Sequence, residues 1–337
     1  MIYSSSYVYS LFKYGNEYKY LLQQSSFFII GCILMYIFSK INYNLYLKYT
    51  NTFLGICFFL LIIVLIPGIG SIRNGSRSWF SLFGLGFQPS ELLKIALIIF
   101  SSKYLSKNDY LKRDTFNFLF PILLVLIIFF LLILLEPDFG SGMVIVCSII
   151  GLLFVSGCDF KIFIKLGVIG VIGIIVLVLI APYRLSRITS FIDPWSDPLG
   201  SGFQTIQSIY AIGPGGLLGF GLFNSKQKHF YLPEPQTDFI FSIIAEEFGF
   251  IGCVVLICIY VILFSTLIYK AIKTDDLFGK YLIFGLSFLL MFQTLLNLCV
   301  VVGLVPVTGV TLPFISYGGS SLLVSMISIG IILSVSK

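Results

Sequence analysis

Asp238 closes a polar stretch of the chain and opens an apolar one, Phe239-Ile240-Phe241-Ser242-Ile243-Ile244. A carboxylate at such a junction lies at the positive end of the helix dipole. Two roles fit it. As a general base it is ionised near neutral pH and accepts a proton from a hydroxyl. As a cap it, or Thr237, satisfies the first amides of the helix. Glu91 and Lys94 stand three residues apart inside an apolar run, so they share a helix face and can pair. Ionisable groups within a span face a cavity or each other. The pair either fixes helix packing or presents Lys94 to an anionic group such as a lipid diphosphate. Arg73, Arg77, Arg187, Lys226 and Lys228 could together line a site for such a lipid. Taken singly, each reads as an interfacial anchor.

Other candidates read more plainly. The two carboxylates of Glu136-Pro137-Asp138-Phe139-Gly140 could bind a cation or orient a sugar, but the run is also ordinary chemistry for a tight turn, the favoured reading. Glu246 and Glu247 are adjacent and cannot share one face, so at least one is expected at the membrane interface. The single histidine, His229, reads as a lone surface residue. All seven cysteines fall within or beside apolar runs, without C-x-x-C spacing, so no metal ligand set is expected.

The elements that must position these residues are membrane helices. Of 337 residues, 58% are hydrophobic and 11% charged, against about 45–50% apolar and 25% charged for soluble domains. A fold so short of charge could not cover a soluble surface. That excludes a soluble enzyme and a nucleic-acid binder, and the long apolar runs exclude an outer-membrane barrel. Nine all-α spans are expected, near 25–39, 52–68, 89–106, 117–135, 139–157, 160–181, 239–269, 281–303 and 312–336. The seventh is too long for one crossing, so its first turns should project from the membrane.

Lysines and arginines cluster on alternate connections (Lys40 and Lys48; Lys103, Lys107, Lys112 and Arg113; Lys161 and Lys165; Lys270, Lys273 and Lys280). The positive-inside rule makes that side cytoplasmic. The polar segments 68–88 and 182–237 are then extracytoplasmic, and they hold both tryptophans, Trp79 and Trp195. A thiol placed at Ser225 should be reachable from outside, and one at Asn108 should not. No cleavable signal peptide is visible in residues 1–20.

The 182–237 segment far exceeds the roughly 12–15 residues of an uncommitted loop. Its glycines, prolines and amides suggest a polar cavity for a hydrophilic headgroup; the plainer reading is a cap that packs helices together. Towards the C-terminus, 303–321 is rich in glycine and proline and should break a helix at membrane depth. Broken backbone is tolerated there only when buried in protein or lining a cavity.

At this point several motifs occur in order: Asn74-Gly75-Ser76-Arg77-Ser78-Trp79; Gln88-Pro89-Ser90-Glu91-x-x-Lys94; Glu136-Pro137-Asp138-x-Gly140; Phe191-x-Asp193-Pro194; Gly202-Phe203-Gln204-x-x-Gln207-Ser208; Leu232-Pro233-Glu234-x-x-Thr237-Asp238-Phe239; and Leu312-Pro313-Phe314-x-Ser316-Tyr317-Gly318-Gly319-Ser320-Ser321. The chain resembles the SEDS family (shape, elongation, division and sporulation) nearly end to end, its FtsW/SpoVE branch more than RodA. The resemblance implies one transmembrane domain over 1–337, with 182–238 as its extracytoplasmic loop. The implied activity is a peptidoglycan glycosyltransferase of the bacterial cytoplasmic membrane that polymerises lipid II at the outer face. It further implies polyprenyl-diphosphate-linked glycan as the growing chain and a class B penicillin-binding protein as partner in a cell-wall synthesis complex.

Carried onto this sequence, the family's essential carboxylate is Asp238 and its intramembrane pair is Glu91 and Lys94. Arg77, Gln204 and Gln207 match motif positions, and Arg187 joins them as a substrate contact. No cofactor is implied, and participation of a divalent cation stays open. The family has ten spans against nine here; residues 1–6 resemble the outer end of its first helix, most of which is missing. The rival readings are a lipid II flippase and a non-catalytic scaffold for the transpeptidase. A transporter needs polar groups reachable from both sides near the midplane, whereas these motifs cluster in the outer half.

Overall fold

The computed structural model describes residues 1–336 apart from 74, 83, 84, 109–114 and 181; the side chains at 73, 82, 85, 115–117, 180 and 182–184 also lie outside the description. Arg73, Lys112, Arg113 and Arg184 therefore carry no side-chain account. In chain order the helices are α1 (Ile2–Tyr14), α2 (Lys19–Lys40), α3 (Asn44–Leu65), α4 (Pro89–Lys107), α5 (Thr115–Leu135), α6 (Phe139–Val155) and α7 (Phe160–Ile180). They continue with α8 (Pro182–Ile192), α9 (Phe203–Ile212), α10 (Ile240–Lys273), α11 (Leu277–Val301) and α12 (Gly319–Val335).

Six described helices are long and apolar enough to cross a membrane: α2, α3, α5, α7, α10 and α11. At 1.5 Å per residue, a run of about 20 residues covers the roughly 30 Å hydrocarbon core. α6 and α12 are apolar but have only 17 residues each. α4 has 19 residues and carries Glu91 and Lys94. Each of the nine expected spans overlaps one of these helices, with ends shifted by up to eight residues. The short α1 ends at Gly15, whose φ of 67° lets its amide close on Leu11 O.

The polar segment 68–88 is not a bare loop. β1 (Gly70–Arg73), β2 (Ser76–Leu82) and β3 (Leu85–Phe87) form an antiparallel sheet in the order β1-β2-β3. Arg73 pairs with Ser76, leaving a two-residue connection in which Gly75 has φ 82°. Tight hairpin turns require that positive φ.

The chain packs as two compact units. One comprises Met1–Ser26, Ile164–Ile262 and Gln293–Gly318; the other comprises Phe27–Phe163, Leu263–Phe292 and Gly319–Lys337. In the second, α4 packs against α3, α5, α6 and α12, and most of its residues are buried. A Cβ at Gly330 of α12 would lie 2.6 Å from Met35 O, so only glycine permits that backbone approach.

In the first unit, two interruptions of helix matter more than the helices. α10 is not one continuous span. At Gly249 the backbone turns to φ 63°, ψ −161°, a conformation in which glycine alone is unstrained. Such a break frees carbonyls before it and amides after it. Residues 216–221 take up both: Phe220 and Gly221 donate to Glu246 O and Glu247 O at 3.0 and 2.9 Å, while Phe250 and Ile251 donate to Gly216 O and Leu217 O at 2.8 and 3.1 Å. The expected projecting turns of span 239–269 are thus a separate short helix stitched to a loop.

The second interruption is 302–318, between α11 and α12. The expected span 312–336 loses its first seven residues to it, since α12 begins only at Gly319. Its carbonyls are satisfied by buried side chains. Asn297 donates to Val310 O (2.8 Å), Gln293 to Thr311 O (3.1 Å), Tyr260 to Pro313 O (2.5 Å) and Gln24 to Ser316 O (3.1 Å). These polar groups inside apolar helices are there because non-helical backbone at that depth needs donors.

Candidate active site

Asp238 lies in a turn two residues ahead of α10, which starts at Ile240. The residue flanking the helix is Phe239, so neither Thr237 nor Asp238 occupies the usual cap position. Its surroundings fix the main chain instead. Asn297 Nδ2 donates to Asp238 O at 2.8 Å, and Ser316 Oγ donates to Thr237 O at 2.6 Å. Tyr317 N donates to Gln236 O at 2.8 Å, and Leu312 N donates to Ser316 Oγ at 2.9 Å. Three successive carbonyls, 236 to 238, are thereby held by α11 and the 302–318 segment. Asp238 itself is half-buried, and a Cβ at Gly309 would stand 3.7 Å from its Oδ2. Gly309 has φ 75°, so any side chain there would be strained.

Asn297 was missed by sequence reading. It is a fully buried amide within an apolar helix, and that isolation was the signal available. Ser316, quoted only as part of a motif, turns out to anchor the turn that carries Asp238.

The structure brings Arg187 and Gln204 together. They line a hollow of about 400 Å³ with Ser186, Phe191 and Thr205. Gln207 is half-buried on the same helix but does not line it. Ser208, also in that motif, is the structural member: its hydroxyl donates to Val301 O at 2.6 Å and shares a 2.8 Å hydrogen bond with Ser242. Those bonds tie α9 to the end of α11 and the start of α10.

In the other unit, Glu91 and Lys94 form the expected pair. Lys94 Nζ lies 2.7 Å from Glu91 Oε1, and the residues are 2% and 6% exposed. Arg77 lies on β2 and donates to Leu65 O at the end of α3, at 3.4 Å. A cation suits that position, where helix carbonyls are unpaired.

Three expectations fail. Glu246 and Glu247 are both buried, 1% and 0% exposed, so neither meets an interface. The break at Gly249 explains this, because loop 224–228 folds over both carboxylates. Glu246 accepts from Ser225 Oγ and from the Lys226 amide at 2.8 Å. Glu247 accepts from Lys228 Nζ at 2.9 Å and from Ser4 Oγ at 2.6 and 2.7 Å. Lys228 is accordingly 1% exposed and spent on Glu247, not available to line a lipid site. Ser225 is buried by the same contacts and is no place for an outward thiol; Asn224 is exposed. His229 is exposed, as expected, and so is Lys226, which lies 5.5 Å from the Phe220 ring.

The turn at Glu136 holds a surprise of its own. Asp138 behaves as a cap, accepting from Ser141 N at 3.1 Å and Gln88 Nε2 at 2.7 Å. Glu136 is fully buried, and neither carboxyl oxygen has a partner among the described residues. Burial first, and the charge of Asp138 second, push its carboxyl up to about 9. Among the described residues no three His, Cys, Asp or Glu side chains come together as a metal site.

A family model described as cell cycle protein, FtsW/RodA/SpoVE, matches residues 1–337. The chain belongs to the FtsW/RodA/SpoVE family. It is 45% identical to stage V sporulation protein E of Bacillus subtilis (strain 168), over 100% of this chain and 92% of that one. It is 42% identical to the probable peptidoglycan glycosyltransferase FtsW of Geobacter sp. (strain M18), with the same coverage. Among solved structures, a chain of a peptidoglycan synthase complex, studied for its coordination of polymerization and crosslinking, superposes with a TM-score of 0.81 at 31% identity, covering 99% of this chain and 94% of that one. The rod shape determining protein RodA of Thermus thermophilus gives 0.69 at 27% identity, covering 99% and 93%. As an FtsW/RodA/SpoVE member with six long apolar helices, the chain is a multi-pass protein of the inner membrane.

Proposed function

We propose that this chain is a peptidoglycan glycosyltransferase that polymerises lipid II at the extracytoplasmic face, with Asp238 as its base. The observation that carries this reading is the hold on residues 236–238, whose carbonyls accept from Tyr317 N, Ser316 and Asn297. A base must be kept within hydrogen-bond reach of its proton, and these bonds, besides satisfying buried carbonyls, fix the main chain that carries Asp238. Whole-length likeness to a probable peptidoglycan glycosyltransferase supports the reaction class.

In this reaction Asp238 takes the proton of an acceptor sugar hydroxyl on lipid II. The hydroxyl oxygen attacks the anomeric carbon of the lipid-linked glycan with inversion, and the bond to the polyprenyl diphosphate breaks. Positive charge aimed at the departing diphosphate lowers the barrier. We assign that role to Lys94, oriented by Glu91, on its chemistry. Arg77, Arg187, Gln204 and Gln207 are proposed as substrate contacts. Residues 1–337 are read as one transmembrane domain with 182–238 as its outer loop. A class B penicillin-binding protein is the proposed partner, in keeping with the likeness to a synthase complex chain.

Asp238→Asn tests the base. Asparagine keeps the side-chain shape and still accepts hydrogen bonds, but takes no proton at neutral pH. With labelled lipid II and purified protein, turnover should fall about 10²–10⁴-fold while protein level persists. Polymerisation near the wild-type rate would refute the assignment. Chelator in the same assay reads whether a divalent cation takes part.

A further inference from the structure

The start of α2 grips the segment that holds the Asp238 turn. Gln24 is buried there, 7% exposed, and both ends of its amide are used. Nε2 donates to Ser316 O at 3.1 Å, and Oε1 accepts from Gly318 N at 3.3 Å. Glutamine carries a donor and an acceptor on one planar group, so it fixes the carbonyl before Tyr317 and the amide after it together. Tyr317 is held by its side chain as well. Its hydroxyl donates to Gln23 Oε1 at 2.7 Å, and its ring meets that of Tyr20 edge-on, 4.7 Å between centroids.

The gripped residues in turn hold the turn that carries Asp238. Tyr317 N donates to Gln236 O at 2.8 Å, and Ser316 Oγ donates to Thr237 O at 2.6 Å. Ser316 spends every polar group it has. Its amide donates to Leu312 O at 3.0 Å, its carbonyl takes Gln24, and its hydroxyl also accepts from Leu312 N. Phe314, two residues earlier, sits at φ 66°. A side chain is strained in that region and stays there only where its surroundings hold it. The shape of this segment is therefore imposed by what it touches, and α2 supplies part of the hold.

On the reading of Asp238 as the base, we propose that Gln24 is a positioning residue for it, acting through Ser316 and Tyr317. The bonds run from Gln24 to the main chain of 316–318, then to the carbonyls of Gln236 and Thr237, and the next residue bears the carboxylate. A base set slightly out of line with its proton loses rate. Gln24 does this work two residues removed from the reacting atoms, so its loss should leave substrate binding intact.

The test replaces Gln24 by methionine, which keeps the length and removes both hydrogen-bonding groups. With labelled lipid II and the purified full chain, kcat should fall about ten- to a hundredfold while KM stays near the wild-type value. Amide exchange read by mass spectrometry should quicken in 236–239 and 312–318 and stay unchanged in α4. Gln24→Glu keeps the acceptor for Gly318 N and regains the donor for Ser316 O only when protonated. Its rate relative to wild type should therefore climb as pH falls, which separates positioning from misfolding and carries the test if Gln24→Met accumulates poorly. Unchanged kcat in Gln24→Met would overturn the proposal, whatever the exchange shows. A raised KM at unchanged kcat would overturn it too, as would a pH-independent ratio for Gln24→Glu. Exchange needs no turnover, so an active Asp238→Asn protein would sink the base, while quickened exchange in Gln24→Met would still report the grip.

Discussion

Two buried lysine–glutamate pairs, one in each unit, differ in what they join. Lys94 and Glu91 are three residues apart on α4 and meet at 2.7 Å. Forming that pair brings together nothing that the helix had not already brought together. Lys228 and Glu247 are 19 residues apart and meet at 2.9 Å, both fully buried. Glu247 also takes the Ser4 hydroxyl, so this pair ties α1, the loop before Asp238 and the short helix after it. Buried ion pairs are weak evidence of net stabilisation, because desolvation offsets attraction, but removing one partner strands a charge at about 3–5 kcal/mol. The long-range pair joins segments distant in sequence, whereas Glu91 and Lys94 meet within one helix, so the two are expected to respond differently when both partners are replaced.

The largest effect that could break this contrast comes from single substitutions. Lys228→Met and Lys94→Met should each cost about 3–5 kcal/mol, seen as lost protein in the membrane. The double variants separate them. Glu247→Gln with Lys228→Met should recover both protein and lipid II polymerisation, whereas Glu91→Gln with Lys94→Met should recover protein without polymerisation. Full activity in the second double variant would make both pairs structural.

An effect graded with pH comes from Glu136, a buried carboxyl with no lysine at all. Its folded pKa is raised to about 9, so the folded state holds a proton that the unfolded chain gives up above the ordinary carboxyl range. Stability from this group is complete below about pH 4.5 and declines as pH rises towards 9, by at most about 1.4 kcal/mol per unit. Thermal unfolding between pH 5 and pH 8 should show that decline, and Glu136→Gln should flatten it. An unchanged slope in the variant would mean that Glu136 is ionised and partnered. Smallest is Ser4→Ala, which removes one hydroxyl from Glu247 and should cost about 1–3 kcal/mol. A loss well below that range would detach α1 from the long-range pair.

Much of this was legible in the chain. Apolar length located the six described helices long and apolar enough to cross a bilayer, since crossing demands a run that few other structures need. Spacing alone paired Glu91 with Lys94, and the order of motifs identified the family before any coordinate. Local chemistry also placed the turn at Glu136–Gly140 and the break in 302–318. What was misread shares a cause: each case depended on residues distant in sequence. Glu246 and Glu247 were expected to diverge because adjacent helical residues do, yet a loop folded over both.

The sequence by itself determined the membrane class, the long apolar helices and the family, because hydrophobic length and helical periodicity are properties of consecutive residues. Only the tertiary structure decided which polar groups are spent and which are free. Lys228 and Arg187 look alike as basic residues of one loop, but Lys228 is closed on Glu247 while Arg187 keeps donors open to a hollow. Asn297 and Ser316 hold the main chain around Asp238 from 59 and 79 positions away. A buried donor must find an acceptor wherever the fold puts one, and no local pattern records where that is.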